Sequence, residues 1–387
     1  MKPNHLTPFD RPIFVTRPVL PDLGSLTVLL REIWAGGRVT NDGPFLRRLR
    51  QALRRRLKTP CLSLVNNGTT GLLIACRALG LTGEVITTPF TFPATVHALA
   101  WSGLQPVFAD IDPLTLTLDP GGLEKWVSGK TTAILGVHIY GNPCRMGEIQ
   151  SLADRHGLKV LYDAAQAFGV EVKGEGIGSF GDLTLFSFHA TKSFHTFEGG
   201  LLTTRDRTLI RRIDLLKNFG FKNEETVVEP GINGKMNELQ AAIGLLLLRE
   251  IEKERRRRRQ LMQLYRKSLE GVEGLTFLPE PAGVKSNYQY AVVRIEARRF
   301  GQSRDRVYRR FKACRVFTRR YFYPLCSTYP CYRTLPSSRP ENLPVAQRVS
   351  QEVLCLPLHG GLKEEEVQRI GALLMGFQRE GRCRKSA

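Results

Sequence analysis

The chain has 387 residues, of which 42% are hydrophobic and 24% are charged. This composition is ordinary for a globular protein, and the length favours a large domain together with a smaller one. No apolar run approaches the roughly 20 residues that a membrane-spanning helix needs, which excludes such a span. The first residues, MKPNHLTPFDRP, lack the apolar stretch of a signal peptide, so we expect a cytoplasmic protein.

The chain carries eight scattered cysteines and a formal charge of +21. No C-x-x-C pair occurs, so we expect reduced thiols rather than a zinc site or a disulfide framework. The longest basic run, Arg255 to Arg259, lies within a predicted helix. The charge is compatible with nucleic-acid binding, with steering of an anionic substrate, or with a merely solvated helix face, and charge alone does not decide among them.

Between about Thr59 and Thr204, short β-branched runs alternate with helical stretches. The expected strands are CLSLV, EVITT, PVFAD, TAILGVHI, KVLYD, DLTLFSF and GGLLTT. Strands that alternate with amphipathic helices predict an α/β domain with a mainly parallel sheet covered on both faces. Such sheets bind their ligands beyond the carboxyl ends of the strands. The candidate site residues are therefore sought there.

A long helix is predicted from Asn237 to Leu269, apolar at its start and strongly charged later. A helix that changes character in this way can leave one domain and begin another. Two strand-like pieces, YAVVRI and VFTRRYFYP, and a closing helix, KEEEVQRIGALLMGF, follow it. We therefore predict a large α/β domain over residues 1–250 and a smaller α+β domain over residues 251–387.

Asn67-Gly68-Thr69-Thr70 follows a predicted strand and opens a helix. Glycine lets the backbone approach a ligand closely, and the first N–H groups of a helix favour an anion. The two threonine hydroxyls add further donors. The segment is thus a candidate phosphate site, although the same residue types also serve as an ordinary helix cap.

Asp163 ends the strand KVLYD, and Gln166 follows it by three residues. A carboxylate at the end of a buried strand is costly unless another group pairs with it. A protonated pyridine nitrogen is one such partner. On this segment alone, capping of the next helix explains Asp163 equally well.

Lys192 lies just beyond the strand DLTLFSF, in the segment SFHATKSFHTFEGG that also contains Ser187. Aromatic neighbours can exclude water from a lysine, which lowers its pKa and favours the nucleophilic amine. Schiff-base formation with an aldehyde requires that form. Phe92, beyond EVITT, is placed either to stack on a planar ring or to fill the core.

Six segments, taken in order, resemble the DegT/StrS family of sugar aminotransferases: NNGTTGL, GEVITTPFTFPATVHAL, PVFADIDPLTLTLDP, YDAAQAFG, SFHATKSFHTFEGG and GINGKMNELQAAIG. The similarity runs from RPIFVTRP near the start to LPLHGG near the end. It implies the type I fold of pyridoxal 5'-phosphate enzymes, typified by aspartate aminotransferase. That fold has a large, mainly parallel α/β domain and a smaller C-terminal α+β domain.

The resemblance also implies how the candidate residues bind pyridoxal 5'-phosphate. Lys192, the catalytic residue, would bind the cofactor's aldehyde covalently and later move the proton. Asp163 would pair with the pyridinium nitrogen, while Phe92 would stack on the ring and Gln166 would contact its 3-hydroxyl oxygen. The phosphate would be held by Gly68, Thr69, Thr70 and Ser187, and by Asn233 reaching across a homodimer interface to a shared active site.

The implied reaction moves an amino group from L-glutamate to a nucleotide-linked keto-sugar, without a metal. The segments RPIFVTRPVLPDL, TNDGPF and VFTRRYFYPLCSTYPCY resemble the branch whose acceptor is dTDP-4-keto-6-deoxyglucose and whose product feeds O-antigen or other glycan synthesis. Transaminases of 3-keto sugars share most of these motifs. In the 4-keto branch, the sugar side would be lined by Thr40, Asn41, Tyr321 and Tyr323.

Two further functions stay open from the sequence. One branch of the family has histidine in place of the lysine and performs dehydration, and the presence of Lys192 favours transamination instead. A basic regulatory or nucleic-acid-binding protein on the same fold would explain the net charge, but it would need neither Lys192 nor Asp163. His195 stands where asparagine is common, so it is either a packed histidine or a group close to the cofactor.

Overall fold

The structure is a computed structural model that describes residues 7–383, without the side chain of Cys383. The expected absence of a signal peptide rests partly on residues 1–6, which lie outside this range. In the part of the chain that is described, no helix is long and apolar enough to cross a membrane.

The helices and strands follow one another largely as the sequence predicts. The helices are α1 (Leu23–Gly36), α2 (Pro44–Leu57), α3 (Gly68–Ala78), α4 (Pro93–Trp101), α5 (Met146–His156), α6 (Arg207–Leu216), α7 (Glu238–Ser268), α8 (Ala297–Phe300), α9 (Arg304–Ala313), α10 (Pro344–Glu352) and α11 (Glu364–Cys383). The strands are β1 (Ile13–Phe14), β2 (Cys61–Val65), β3 (Glu84–Thr87), β4 (Gln105–Phe108), β5 (Thr131–Val137), β6 (Lys159–Asp163), β7 (Glu171–Val172), β8 (Glu175–Gly176), β9 (Leu183–Ser187), β10 (Gly200–Thr204), β11 (Leu275–Phe277), β12 (Val284–Lys285), β13 (Ala291–Ile295), β14 (Val316–Phe317) and β15 (Val353–Leu356).

The central sheet has seven strands in the order β2-β10-β9-β6-β5-β3-β4. Its strand pairs are parallel except at β10, which runs antiparallel to both of its neighbours. Strand β2 is buried along its whole length, as expected of a strand covered on both faces. The predicted α/β fold with a mainly parallel sheet is confirmed. Because β6 lies between β5 and β9, Asp163 pairs with Val137 on one side and Leu185 on the other.

Helix α7 connects two hydrophobic cores. It starts with a capping box, in which the Asn237 side chain accepts a 2.9 Å hydrogen bond from the N–H of Gln240. Ile243 in its first half packs into the core beneath the large sheet. Tyr265 in its second half packs with β13 and β15 in a separate core. The change of character along the predicted helix thus reflects a change of surroundings.

The N-terminal segment does not pack only with the large sheet. Strand β1 pairs in parallel with β14, with Ile13 opposite Val316, and Phe9 is buried in the same core as α11. The predicted strand VFTRRYFYP is also shorter than expected, since only Val316–Phe317 forms a strand. The apolar side chains of residues 9–14 therefore cover the smaller body rather than the larger one.

The basic run in α7 does not form a continuous surface. Successive residues of a helix point about 100° apart, so five arginines in a row surround the axis. Arg258 is buried and pairs with Glu254 at 2.6 Å. Arg257 pairs with Glu364 at 2.7 Å and Arg255 with Glu252 at 2.9 Å. These ion pairs favour a structural explanation of the run over a nucleic-acid interface.

Candidate active site

Asp163 is a buried carboxylate at the carboxyl end of β6, with a side chain only 5% exposed. Its Oδ2 accepts a 2.7 Å hydrogen bond from the Thr95 hydroxyl of α4, and its Oδ1 accepts one of 2.9 Å from the N–H of Ala165. Thr91 lies within 2.8 Å of the Thr95 hydroxyl and extends the chain of donors. Burial raises the pKa of Asp163, while these hydrogen bonds and the charge of Lys192 lower it. The site therefore holds a carboxylate that favours a cationic partner.

Lys192 lies in the irregular connection between β9 and β10, where its backbone N–H donates a 2.9 Å hydrogen bond to the carbonyl of His189. Removal of water lowers the pKa of Lys192 to about 8, and the negative charge of Asp163 opposes this effect. Lys192 is thus poised to supply a neutral amine near neutral pH, as the aromatic neighbours in the sequence predict. The charge of each group thus affects the pKa of the other, although Asp163 ends β6 and Lys192 lies beyond β9.

The N-terminus of α3 meets the end of β9. Asn67 caps the helix by accepting a 2.8 Å hydrogen bond from the N–H of Thr70. Gly68 packs so closely on Ser187 that a Cβ at Gly68 would come within 3.0 Å of the Ser187 Cβ. The structure therefore brings four of the predicted phosphate-binding residues together at a helix N-terminus, with Thr69 exposed. Both the cap and the phosphate interpretation of this segment fit, because capping engages only one of the helix's first N–H groups.

Phe92 stands immediately before α4 with 57% of its surface exposed. The ring of Phe92 is therefore open to contact with a ligand. Gln166 is buried, and its Oε1 accepts a 2.6 Å hydrogen bond from the N–H of Tyr140. This bond fixes the orientation of the amide. Of the two alternatives for Phe92, the core position is excluded by this exposure, and stacking on a ring stays a prediction.

These residues fit pyridoxal 5'-phosphate at each of its functional groups. Lys192 would hold the aldehyde carbon, and the buried carboxylate of Asp163 would face the pyridinium nitrogen. The exposed ring of Phe92 offers a face for stacking. The junction of Gly68 with Ser187 offers donors to the phosphate.

Asn233 is exposed, at the base of a protruding segment that we call the arm, residues 218–233. Asn218 and Asn233 form a bridge at its base, and Phe221 and Val227 form another further out. The Asn233 carbonyl lies 3.4 Å from the Asn66 side-chain nitrogen, next to the helix cap of α3. The Asn233 side chain is thus presented at the surface beside this chain's own site. The predicted reach into a partner's site stays a prediction.

The four residues predicted for the sugar side lie in two separate segments of the chain, and their role there stays a prediction. Thr40 and Asn41 lie between α1 and α2, in a connection that is tied to α7 by a 3.0 Å hydrogen bond from the N–H of Glu238 to the carbonyl of Val39. Tyr321 is half-buried, and its carbonyl accepts a hydrogen bond from the Tyr140 hydroxyl.

Tyr323 follows Tyr321 by two residues and packs against two arginines. It is 38% exposed and lies beneath the guanidinium groups of Arg304 and Arg320, at 5.1 and 4.9 Å from its ring centre.

His195 is buried and stacks on Phe197 with 6.0 Å between ring centres. Its Nδ1 accepts a 3.3 Å hydrogen bond from the N–H of Phe197, and burial lowers its pKa to about 4. These contacts favour the packed histidine of the two explanations that the sequence leaves open.

Sequence reasoning missed two residues that hold the site together. Thr95 binds Asp163, and Tyr140 links Gln166 to Tyr321. Thr95 follows Phe92 by three residues, just under one helical turn, so it could have been found by asking which side chain of the next helix faces the end of β6. Tyr140 has a left-handed backbone with φ of 58°, for which the sequence carries no signal.

Comparisons with known proteins agree with this geometry. Residues 25–375 match the DegT/DnrJ/EryC1/StrS aminotransferase family. The chain is 44% identical over 370 residues to dTDP-4-amino-4,6-dideoxy-D-glucose transaminase from Escherichia coli, which covers 95% of this chain and 99% of that protein. It is 42% identical to the transaminase of the same name from Shigella dysenteriae, over 93% of this chain and 98% of that one.

The chain is also similar to solved structures of aminotransferases. The crystal structure of DesI in the presence of its TDP-sugar product superposes with a TM-score of 0.93 and 37% identity, over 98% of this chain and 96% of that one. Helicobacter pylori PseC, an aminotransferase involved in the biosynthesis of pseudoaminic acid, superposes with a TM-score of 0.89 and 26% identity, over 96% of this chain and all of that one (100%). The chain belongs to the DegT/DnrJ/EryC1/StrS family of sugar aminotransferases.

Proposed function

We propose that this aminotransferase transfers an amino group from L-glutamate to dTDP-4-keto-6-deoxyglucose and produces dTDP-4-amino-4,6-dideoxyglucose. The observation that carries the proposal is a lysine of lowered pKa, Lys192, electrostatically coupled to a buried carboxylate, Asp163, in a chain 44% identical to a transaminase named for that product. The similarity to DesI, solved with a TDP-sugar, supports the choice of nucleotide.

Pyridoxal 5'-phosphate, when bound, supplies an electron sink for the carbon that loses a proton. The chain's own residues supply the proton transfer and the fixed charge. Nζ of Lys192 takes a proton from the Cα of the amino donor and returns it at another atom, acting as general base and then general acid. Its pKa of about 8 suits both roles near neutral pH. Thr95 and Ala165 donate hydrogen bonds that favour the charged carboxylate of Asp163, which would pair with the ring nitrogen.

The six cysteines at positions 61, 76, 144, 326, 331 and 355 carry free thiols, and all but Cys331 are buried. Free thiols are typical of a reducing compartment. We therefore place the enzyme in the cytoplasm, where nucleotide sugars would be its substrates and its product would enter O-antigen or other glycan synthesis. The regulatory alternative has less support, since the basic run of α7 is largely taken up by ion pairs.

We further propose a homodimer with shared active sites. The arm exposes five apolar side chains: Phe219 at 45%, Phe221 at 40%, Val227 at 57%, Val228 at 49% and Ile232 at 43%. Exposed apolar groups gathered on one projecting segment mark an interaction surface. Because Asn233 lies at the base of this arm, a second copy that covers the arm would receive the Asn233 side chain near its own α3.

The near-visible absorbance of the purified enzyme loaded with pyridoxal 5'-phosphate tests the proposal. We expect a band from the cofactor bound to Lys192, its loss on addition of L-glutamate, and its return on addition of dTDP-4-keto-6-deoxyglucose. Return of the band with a 3-keto sugar nucleotide but not with the 4-keto one would show the alternative substrate class. Absence of any band would refute the cofactor assignment.

Lys192→Ala should lose the band and all turnover while the chain still folds. Lys217→Met is a matched control, because Lys217 is also a buried lysine with a pKa lowered by burial. Its ammonium pairs with Asp214 at 2.6 Å and with the Ser63 hydroxyl at 2.7 Å, away from the strand ends that carry the site. We expect the control to lose stability and keep the band.

A further inference from the structure

One buried glutamine bridges the two peptide groups that flank Lys192. The side chain of Gln289, only 1% exposed, donates from Nε2 to the carbonyl of Thr191 at 3.2 Å. Its Oε1 accepts a hydrogen bond from the N–H of Ser193 at 2.9 Å. A single planar amide therefore fixes the chain immediately before and immediately after the lysine. Rotation of the Lys192 peptide units would break both bonds at once.

The connection that carries Lys192 has little structure of its own to do this. Residues 188–199 form turns and bends rather than a helix or strand. A loop without a ladder of backbone hydrogen bonds fixes a side chain poorly unless other elements brace it. Gln289 supplies such a brace from outside, since it lies two residues before β13 of the smaller body.

Gln289 is itself held rigidly. Its backbone N–H donates a 3.1 Å hydrogen bond to Oδ1 of Asn287, and its carbonyl accepts a 3.3 Å hydrogen bond from Arg258. The Arg258 guanidinium also donates to the carbonyl of Leu358 at 3.2 Å and pairs with Glu254 at 2.6 Å. All of these side chains are buried. The buried ion pair between Arg258 and Glu254 of α7 thus anchors the segment that holds the Lys192 loop.

The same segment also braces the opposite side of the site. Nδ2 of Asn287 donates to the carbonyls of Gln166 at 2.9 Å and Phe168 at 3.1 Å. Those residues belong to the loop that follows Asp163 and β6. Two amides that are two residues apart in the segment before β13 therefore hold the two loops that carry the reacting groups.

We propose that Gln289 is a positioning residue for Lys192: by binding the peptide groups on both sides, it aims the lysine amine at the reacting carbon. The inference rests on the proposed function, since it assigns Gln289 a part in the chemistry of Lys192. Gln289 acts only through the loop that carries Lys192, and not by contact with the substrate or the cofactor. A merely structural glutamine would contribute to folding and leave the reactivity of Lys192 unchanged.

Gln289→Met tests this, because methionine has a similar length and volume and makes neither hydrogen bond. In the enzyme loaded with pyridoxal 5'-phosphate, we expect kcat to fall about 10- to 100-fold while KM for both substrates stays within about twofold, as expected from misplacement of a reacting group. The pH midpoint of the near-visible cofactor band should also shift from that of the wild type.

Gln302→Met is the matched control. Gln302 is likewise a buried glutamine, and its Nε2 donates to the carbonyl of Phe377 in α11, within the core of the smaller body. We expect it to lower the melting temperature comparably while kcat and the band midpoint stay as in the wild type. If Gln289→Met loses stability but keeps the wild-type kcat and band midpoint, the inference is wrong.

Gln289→Glu covers the case in which the methionine variant does not fold. A carboxylate of the same shape still accepts from the N–H of Ser193, but it cannot donate to the carbonyl of Thr191. Its negative charge would stabilise the protonated form of the Lys192 nitrogen in its bond to the cofactor, so the band midpoint should move to higher pH and kcat should fall. An unchanged midpoint and kcat would overturn the inference. Absence of the band in the wild type would instead refute the proposed function itself.

Discussion

The hydroxyl of Thr95 donates a 2.7 Å hydrogen bond to Oδ2 of Asp163. Thr95 belongs to α4 and Asp163 ends β6, so the bond joins two elements that are far apart in sequence. It offsets part of the burial that raises the pKa of Asp163. A carboxylate in this position is useful only while it is charged, and Thr95 helps to keep it so.

Thr95→Val should therefore weaken the enzyme without changing its shape. Valine is close in size to threonine but leaves Oδ2 without this donor, which raises the pKa of Asp163 further. Loss of a hydrogen bond to a charged group costs about 1.5–3 kcal/mol, so we expect kcat to fall about tenfold or more. Steady-state kinetics measure this directly.

Thr203→Val is a control for the loss of a buried hydroxyl. Thr203 of β10 is 1% exposed, and its hydroxyl donates a 2.7 Å hydrogen bond to the carbonyl of Gly178. It should lose stability and keep kcat. Equal kcat in the two variants would contradict a special role for the bond between Thr95 and Asp163.

Asp163→Asn should slow the enzyme and stabilise the cofactor-free chain. Loss of a preorganised charge opposite the reacting group costs at least about a hundredfold in kcat. Burial raises the folded-state pKa of Asp163 above its ordinary value of 3.8, so the folded chain binds a proton that the unfolded chain has released. Wild-type stability therefore falls as the pH rises from 3.8 through the folded pKa.

The neutral asparagine escapes this loss. In thermal unfolding of the cofactor-free protein, the variant should melt higher than the wild type at pH 8. The difference should shrink as the pH falls to 3.8 and vanish below it, where the carboxyl is protonated in both the folded and the unfolded chain. A variant that melts lower than the wild type at pH 8 would show that the carboxylate is net stabilising. Such gain of stability with loss of activity is typical of functional residues.

Lys192 should bind the cofactor fastest at a pH where ordinary lysines are still protonated. The neutral amine is the nucleophile, and the pKa of Lys192 is lowered from 10.5 to about 8 by burial. The rate at which the cofactor-free protein takes up pyridoxal 5'-phosphate should rise with pH and reach half its maximum near 8. Stopped-flow absorbance measures the rate. Nα-acetyl-lysine, whose side-chain amine is free, is the control in the same buffers.

The Asp163→Asn variant gives the sign of the coupling. The negative charge of Asp163 favours the ammonium form, so its removal should move the midpoint for Lys192 to lower pH. A midpoint near 10.5 in the wild type would show that Lys192 is not desolvated in solution.

The strands and their ligand-binding ends could be predicted from the sequence because periodicity and β-branched composition are local signals. KVLYD forms β6, and Asp163 lies at its carboxyl end as expected. The family motifs also identify Lys192 and the α3 terminus. These features depend on residues that are close together in the chain, which is why they can be read without coordinates.

The supports of the site could not be predicted in the same way. Gln289 lies 96 residues from Ser193, and Asn287 lies 121 residues from Gln166. Neither amide stands in a recognisable pattern, and buried polar side chains have no signature until their partners are placed. The same holds for β1, whose partner β14 is about 300 residues away in a chain of this length. Non-local pairing is the information that the fold adds.

A shared active site predicts that two inactive chains can restore each other. Let one copy carry Lys192→Ala and the other Asn233→Ala, with activity measured at a cofactor concentration that limits the second variant. In a mixed dimer with shared sites, one site combines the intact Lys192 of one chain with the intact Asn233 of the other, while the second site lacks both. Random mixing makes half of the dimers mixed, so about one quarter of the wild-type activity should return.

The arm explains why this exchange of residues is expected. Its exposed side chains, such as Phe219 and Val228, need a covering surface, and Asn233 is joined to them through the bridge with Asn218. If each site instead used its own Asn233, the mixed dimer would have one site without the lysine and one without the asparagine, and mixing would restore nothing. Light scattering would establish that the chain is dimeric, and mass-tagged copies would show that mixed dimers had formed and give their fraction. Mixed dimers that show no recovery of activity would rule out the shared site, and a chain that stays monomeric would rule out the dimer itself.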